Sequence, residues 1–222
     1  SRWRKLDNAA QAFPAATGKK DTRVFRFYCQ LKEDVQPEIL QKALEQTMKR
    51  YPVFSMVLRK GLFWFYLEQR DLSAKVEEEK RPPCSEIYVP DHKTLLFQVS
   101  YYKRRINFEV FHALTDGTGA MLFLKELVSH YLILRHPKET FSKVSEDMLT
   151  ETDFEEDSFS QYYTGKKSEK EKSRPAYQIK GEYLEQEEME ITEILLSAEA
   201  VHRRAKAQGV SVTAYLAAAL VY

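Results

Sequence analysis

Two pairs of short β-prone runs, each joined by a turn of hairpin length, constrain this chain more than any other feature. Val53 to Leu58 and Leu62 to Leu67 flank Arg59-Lys60-Gly61, while Leu95 to Tyr102 and Ile106 to Phe111 flank Lys103-Arg104-Arg105. Runs rich in β-branched and aromatic residues around loops this short read as antiparallel hairpins. The similar run Thr22 to Leu31 adds a strand, so the first 112 residues predict a sheet of at least five strands.

Helical periodicity supplies what packs on that sheet. From Pro37 to Tyr51, apolar residues recur at Ile39, Leu40, Ala43, Leu44, Met48 and Tyr51, with proline in the first turn and Pro52 as the stop. Asp34 and Gln36 are the candidate caps. Gly119 to Leu134 is the best helix, with Met121, Leu124, Val128, Tyr131 and Leu132 on one stripe. Beyond it, His136 to Pro175 is charged and aperiodic and reads as a long crossing loop or a partly disordered linker. Glu188 to Leu196 then alternates as a strand. Ser197 to Gly209 reads as a helix closed by its glycine, and Ser211 or Thr213 is placed to cap a final apolar helix. That helix reaches Tyr222 with no closing residue, which reads as a chain that continues or as a face covered by a partner. The pattern is α+β, a mixed sheet with flanking helices. A first lobe spans residues 1–180, including a charged loop at 136–175, and residues 181–222 carry a crossover strand and the start of a second lobe.

Composition excludes several roles. In 222 residues, 34 Lys and Arg nearly balance 33 Asp and Glu, a formal charge of +1 that gives no global drive toward nucleic acid or an anionic surface. Partners must therefore be argued from local sites. Cys29 and Cys84 form neither a disulfide framework nor a metal-ligand spacing, which points to a reducing, cytoplasmic setting. No apolar run approaches the roughly 20 residues of a membrane span.

The chemistry-bearing segment is Phe111-His-Ala-Leu-Thr-Asp-Gly-Thr-Gly119, which places His-x-x-x-Asp-Gly between a strand and the long helix. Chance would yield that spacing on the order of one time in a hundred for this composition. A histidine at the carboxyl end of a strand faces the crevice where ligands of a sheet gather, and imidazole suits proton transfer near neutrality. His112 is thus the candidate general base. Asp116 is expected to fix the loop, and Gly117 to give it the backbone freedom of a sharp turn. A hydrogen-bonded core histidine is the competing reading of His112.

The segment resembles the His-His-x-x-x-Asp-Gly motif of the superfamily that includes chloramphenicol acetyltransferase, plant BAHD acyltransferases and peptide-synthetase condensation domains. Within it the chain is most similar to bacterial alcohol acetyltransferase-like proteins. Supporting stretches are Trp3 to Ala10, Gly61 to Glu68 and Gly209 to Leu216. The resemblance implies a chloramphenicol-acetyltransferase-like single lobe, the N-terminal half of a two-lobed enzyme that transfers an acyl group from acyl-CoA, acetyl-CoA foremost, to a small alcohol acceptor. It implies no metal. His112 matches the second His of the motif, and the first is Phe111 here, a departure that removes a supporting polar group. Asp116 matches an Asp that pairs with an Arg, for which Arg26 is a candidate, and Gly117 matches the Gly beside the channel. The missing C-terminal lobe, or a neighbouring subunit, would complete the site, so this lobe alone is expected to be inactive. Two alternatives stand beside this: condensation-type transfer that depends on a carrier protein, and a non-catalytic lobe that retains the fold.

Lesser signals have ordinary readings. Phe63-Trp64-Phe65-Tyr66 is expected to be sheet packing, Lys103-Arg104-Arg105 a solvated turn with phosphates of CoA as its rival role, and His92, His130, His136 and His202 solvated side chains.

Overall fold

The structure, a computed structural model, describes residues 3–6, 10–18, 21–139, 141, 175, 178, 180–182, 184–185 and 188–221. Its elements are β1 (Trp3–Lys5), α1 (Ala12–Ala16), β2 (Val24–Gln30), α2 (Pro37–Arg50), a 3-10 turn at Pro52–Ser55, β3 (Met56–Lys60), β4 (Phe65–Gln69), β5 (Val76–Glu78), β6 (Phe97–Tyr102), β7 (Arg105–Phe111), α3 (Gly117–Arg135), α4 (Ala198–Ala207) and α5 (Val212–Val221). They divide between two units, Ser1–Lys166 and Lys167–Tyr222.

The predicted single sheet resolves into two. β2, β7, β6 and β5 form a mixed four-stranded sheet in that order, and β1, β4 and β3 form a three-stranded one. The first hairpin separates because β1 occupies the second edge of β4, with Arg4 opposite Leu67. A strand of three residues in a polar lead-in carries too little alternation to announce itself. β5, equally short, lies parallel to β6.

β7 is buried at every position after Arg105, as expected of a strand with neighbours on both edges and cover on both faces. Ile106, Phe108 and Val110 belong to one buried cluster with Leu40, Ala43 and Leu44 of α2 and Ala120, Phe123 and Leu127 of α3. Phe123 is its hub: its ring lies 4.8 Å from Phe108 and 4.2 Å from Phe54. Each such ring contributes about 1.5–3 kcal/mol on burial.

α2 begins at Gln36 as its position predicts, yet no side-chain cap forms; the Gln36 N–H donates instead to the Tyr131 hydroxyl at 2.9 Å. Farther along, Thr47 Oγ1 and His130 Nδ1 lie 2.8 Å apart and Arg50 donates to Glu126 at 2.6 Å, tying α2 to α3. His130 is therefore a packed, hydrogen-bonded residue and not a solvated one. Burial holds its imidazole below the ordinary value, against the pull of Glu126.

Both hairpin turns differ from expectation by a few residues. Tyr102 pairs with Arg105, leaving a two-residue turn at Lys103-Arg104 with Lys103 at φ 50°. That left-handed conformation is held because the Lys103 and Arg104 carbonyls accept the N–H groups of Val35 (2.9 Å) and Leu31 (2.7 Å). In the other turn, the Gly61 N–H donates to the Trp64 carbonyl at 2.8 Å, and a Cβ at Gly61 would come within 2.9 Å of that oxygen, so only glycine fits. Leu62, Phe63 and Trp64 are 88%, 81% and 52% exposed on this tip. Phe63 and Trp64 therefore do not pack on the sheet as their pattern suggests.

In the second unit, Ser197 caps α4 through the Ala200 N–H, Gly209 closes it at φ 68°, and Ser211 caps α5 through the Ala214 N–H. The strand expected at Glu188 to Leu196 is absent: those residues make no ladder and Leu195 is fully exposed. Alternation fits a side for a strand but supplies no neighbour to hydrogen-bond it. Most of the charged segment 136–175 lies outside the described residues.

Candidate active site

The site grows from the end of β7. Phe111, the last strand residue, donates its N–H to the Leu96 carbonyl at 2.8 Å, and His112 donates its N–H to the Arg23 carbonyl at 2.9 Å. Arg23 presents that carbonyl from a left-handed conformation at φ 54°, held by hydrogen bonding of its own N–H to Asp21. The chain then reverses through a turn in which the Leu114 N–H donates to the Phe111 carbonyl at 2.9 Å.

Asp116 follows as the N-cap of α3, its carboxylate accepting the Gly119 N–H at 2.9 Å. An acidic cap satisfies an orphan donor and meets the positive end of the helix dipole. Asp116→Ala is expected to cost about 1 kcal/mol in urea unfolding, with Asp116→Asn restoring most of it. Gly117 is the first helical residue. It has no positive φ, and a Cβ there would meet only Phe27 at 3.8 Å, an ordinary contact. The sharp turn thus rests on the extended Asp116, at φ −84° and ψ −177°, and not on glycine freedom at Gly117.

The His112 imidazole is half-buried between two rings. Phe13 of α1 stacks on it, with centroids 4.4 Å apart and planes 14° from parallel, and Phe25 of β2 lies at 4.9 Å. Among the described residues nothing hydrogen-bonds its ring nitrogens. The ring is therefore oriented by aromatic contact. Phe111, where the resembled motif has its first His, is fully buried and stacks on Tyr88 at 5.0 Å, so the departure is a core residue.

Arg26 does not reach Asp116. Its guanidinium pairs with Glu79 and with Glu109 (3.1 Å), and Arg105 joins Glu79 at 2.8 Å. Arg105 is thereby a strand residue in an ion-pair network and not part of a free basic turn. Glu109 also accepts the Cys84 N–H at 2.6 Å. Burial pushes the Glu79 carboxyl up, but hydrogen bonds and charge attraction from Arg26 and Arg105 together hold it below its ordinary value.

His112, Asp116 and Gly117 thus share one turn. Sequence reasoning missed Phe13, Phe25 and Arg23. Nothing local signals them, since Phe13 lies 99 positions from the histidine it covers (112 − 13). Among the described residues no three His, Cys, Asp or Glu side chains converge as a metal site. An open cleft of about 380 Å³ between residues such as Leu72, Lys75, Arg81 and Val99 is not lined by His112.

No family model matches the sequence, and no curated protein matches it. The structure resembles the starter condensation domain of rhizomide synthetase RzmA, with a TM-score of 0.52 and 12% identity over 64% of this chain and 40% of that one. TM-scores are lower for polyketide synthase associated protein 5 from Mycobacterium tuberculosis (0.46, 18%, 63% and 36%) and for VibH, an NRPS condensation enzyme (0.45, 16%, 61% and 36%). At such identities the likeness shows the fold, an α+β lobe of the condensation-domain and chloramphenicol-acetyltransferase kind. The chain spans 40% of the length of the RzmA domain.

Proposed function

We propose that this chain is the histidine-bearing lobe of an acyltransferase, with His112 as general base. The observation that carries the reading is the half-buried imidazole after β7, clamped by Phe13 and Phe25 with no described hydrogen-bond partner, in a fold shared with a condensation domain. In the reaction, the free ring nitrogen takes the proton of an acceptor hydroxyl as that oxygen attacks the carbonyl carbon of a thioester. The C–S bond of the tetrahedral intermediate then breaks, and the imidazolium returns the proton to the departing thiolate. Asp116 fixes the helix start behind the base, and Gly117 stands beside the substrate channel.

The proposed donor is acyl-CoA, acetyl-CoA first, and the proposed acceptor a small alcohol; the reaction takes place in the cytoplasm and the second lobe, or a neighbouring subunit, completes the channel. A second reading has specific support in the RzmA likeness: the acyl group arrives on a carrier protein and is condensed with an amine or alcohol. Thiol release from acetyl-CoA by the enzyme with its channel completed, with and without a panel of alcohols, separates the two. Acceptor-dependent release from free acetyl-CoA supports the first. Release only from an acyl-loaded phosphopantetheinyl carrier supports the second, and acyl-CoA binding without turnover in either assay defeats both and leaves a non-catalytic lobe.

A further inference from the structure

The tip of the β3–β4 hairpin is built unlike the other turn of the same lobe. Its counterpart at Lys103-Arg104 is basic and pinned by two backbone hydrogen bonds to the segment before α2. The tip instead carries Leu62, Phe63 and Trp64 in succession, 88%, 81% and 52% exposed, on a turn closed by Gly61. Three consecutive large apolar side chains at the far end of a hairpin are not explained by the core beneath them. Trp3, 66% exposed on the adjoining β1, meets Tyr66 edge-on at 6.5 Å and extends the aromatic surface.

Charge around the tip has one predominant sign. Lys60 stands at the base of the turn opposite Phe65, and Lys5 lies opposite Tyr66 on the neighbouring strand; both are exposed. Arg59 is opposite Tyr66 on the other side, and Glu68, the acidic residue of this sheet region, is already occupied by Arg59 and Arg70. An apolar tip with tryptophan at its edge and lysines behind it matches the layering of an anionic bilayer surface. Leu62 and Phe63 match the acyl boundary, Trp64 the headgroup level, and Lys5 and Lys60 the anionic lipids. No described helix is long and apolar enough to span a membrane, so such contact is peripheral.

We propose that residues 61–64 form a docking loop for anionic phospholipid surfaces, seating Leu62, Phe63 and Trp64 in the interface with Lys5 and Lys60 against the headgroups. This inference is independent of the acyl-transfer reading. It is tested on the 222-residue protein by flotation with phosphatidylcholine vesicles, with and without phosphatidylserine, and by Trp64 fluorescence in a Trp3→Phe background, which leaves one tryptophan. Co-flotation and a blue-shifted Trp64 emission are expected only with phosphatidylserine, weakening with added salt. Phe63→Ser should lower binding about tenfold or more. Lys5→Gln and Lys60→Gln should each lower it about fivefold. All of these positions are exposed, and unchanged far-ultraviolet circular dichroism verifies the fold of each variant. Absence of vesicle binding overturns the proposal, as does binding that Phe63→Ser leaves intact. A protein that instead dimerises in sedimentation, reverting to monomer with Phe63→Ser, overturns it in favour of a second copy as the occupant.

Discussion

His112→Ala, made in the enzyme with its channel completed, is expected to slow acyl transfer by about 100- to 10,000-fold, the loss that accompanies removal of a general base. Alanine also removes the ring held between Phe13 and Phe25, so a fall in rate could come from a collapsed site. His112→Phe separates the two effects. Phenylalanine keeps an aromatic ring in the slot, and its stacking retains about 0.5–1.5 kcal/mol that alanine forfeits, yet it cannot accept a proton. If both variants lose turnover while His112→Phe unfolds at the denaturant concentration of the parent protein, the imidazole acts chemically. Near-normal turnover of His112→Phe would assign the ring a packing role and end the general-base reading.

The largest loss of stability is expected from Arg26→Met. Arg26, Glu79 and Glu109 retain 11%, 14% and 7% side-chain exposure, so solvent screens this network little. Methionine fills much of the volume but leaves two little-exposed carboxylates without the Arg26 guanidinium, with Arg105 and the Cys84 N–H as their remaining partners among the described residues. Breaking a buried pair in this way costs about 3–5 kcal/mol. The loss should depend on pH in a definite direction. The Glu79 carboxyl lies below its ordinary 4.5 in the folded protein, because burial, which raises it, is outweighed by hydrogen bonds and charge attraction from Arg26 and Arg105 together. Its ionised form therefore stabilises the fold above the unfolded value, and that contribution disappears as pH falls through the lowered folded value. The parent protein and Arg26→Met should thus differ most near neutrality and converge under acid conditions. Urea unfolding at both extremes measures it, and a pH-independent gap would refute the ionic account.

Much of this architecture was legible because it is written in local periodicity. The α2 stripe, the α3 stripe and the β6–β7 hairpin repeat at 3.6 or 2 residues, and each appears within a few positions of its expected bounds. That His112, Asp116 and Gly117 lie close together was legible too, since one short turn holds all three. What failed depended on partners remote in sequence. The sheet divided in two because Trp3–Lys5 took an edge of β4, and the alternation at Glu188 to Leu196 found no strand to pair with. Arg26 looked like an odd charge awaiting Asp116, whereas Glu109, opposite it in the β2–β7 register, and Glu79, just past β5, are its partners. Phe13 and Phe25 became part of the site only through the same long-range assembly.

The pairing of β2 with β7 sets an order of events as well as a shape. β6 and β7 meet across a two-residue turn, but Arg26 and Glu109 are 83 residues apart, and closing so long a loop costs more chain entropy than closing the hairpin. Nucleation at the hairpin, with β2 arriving late, is the expected sequence. The Arg23 carbonyl that fixes the His112 N–H and the Phe25 ring beside the imidazole travel with β2, so the site is assembled after the hairpin that carries it. Pulse-labelled amide exchange should find β6–β7 amides protected before that of His112. Partial unfolding would then disable the histidine while most of the lobe still stands.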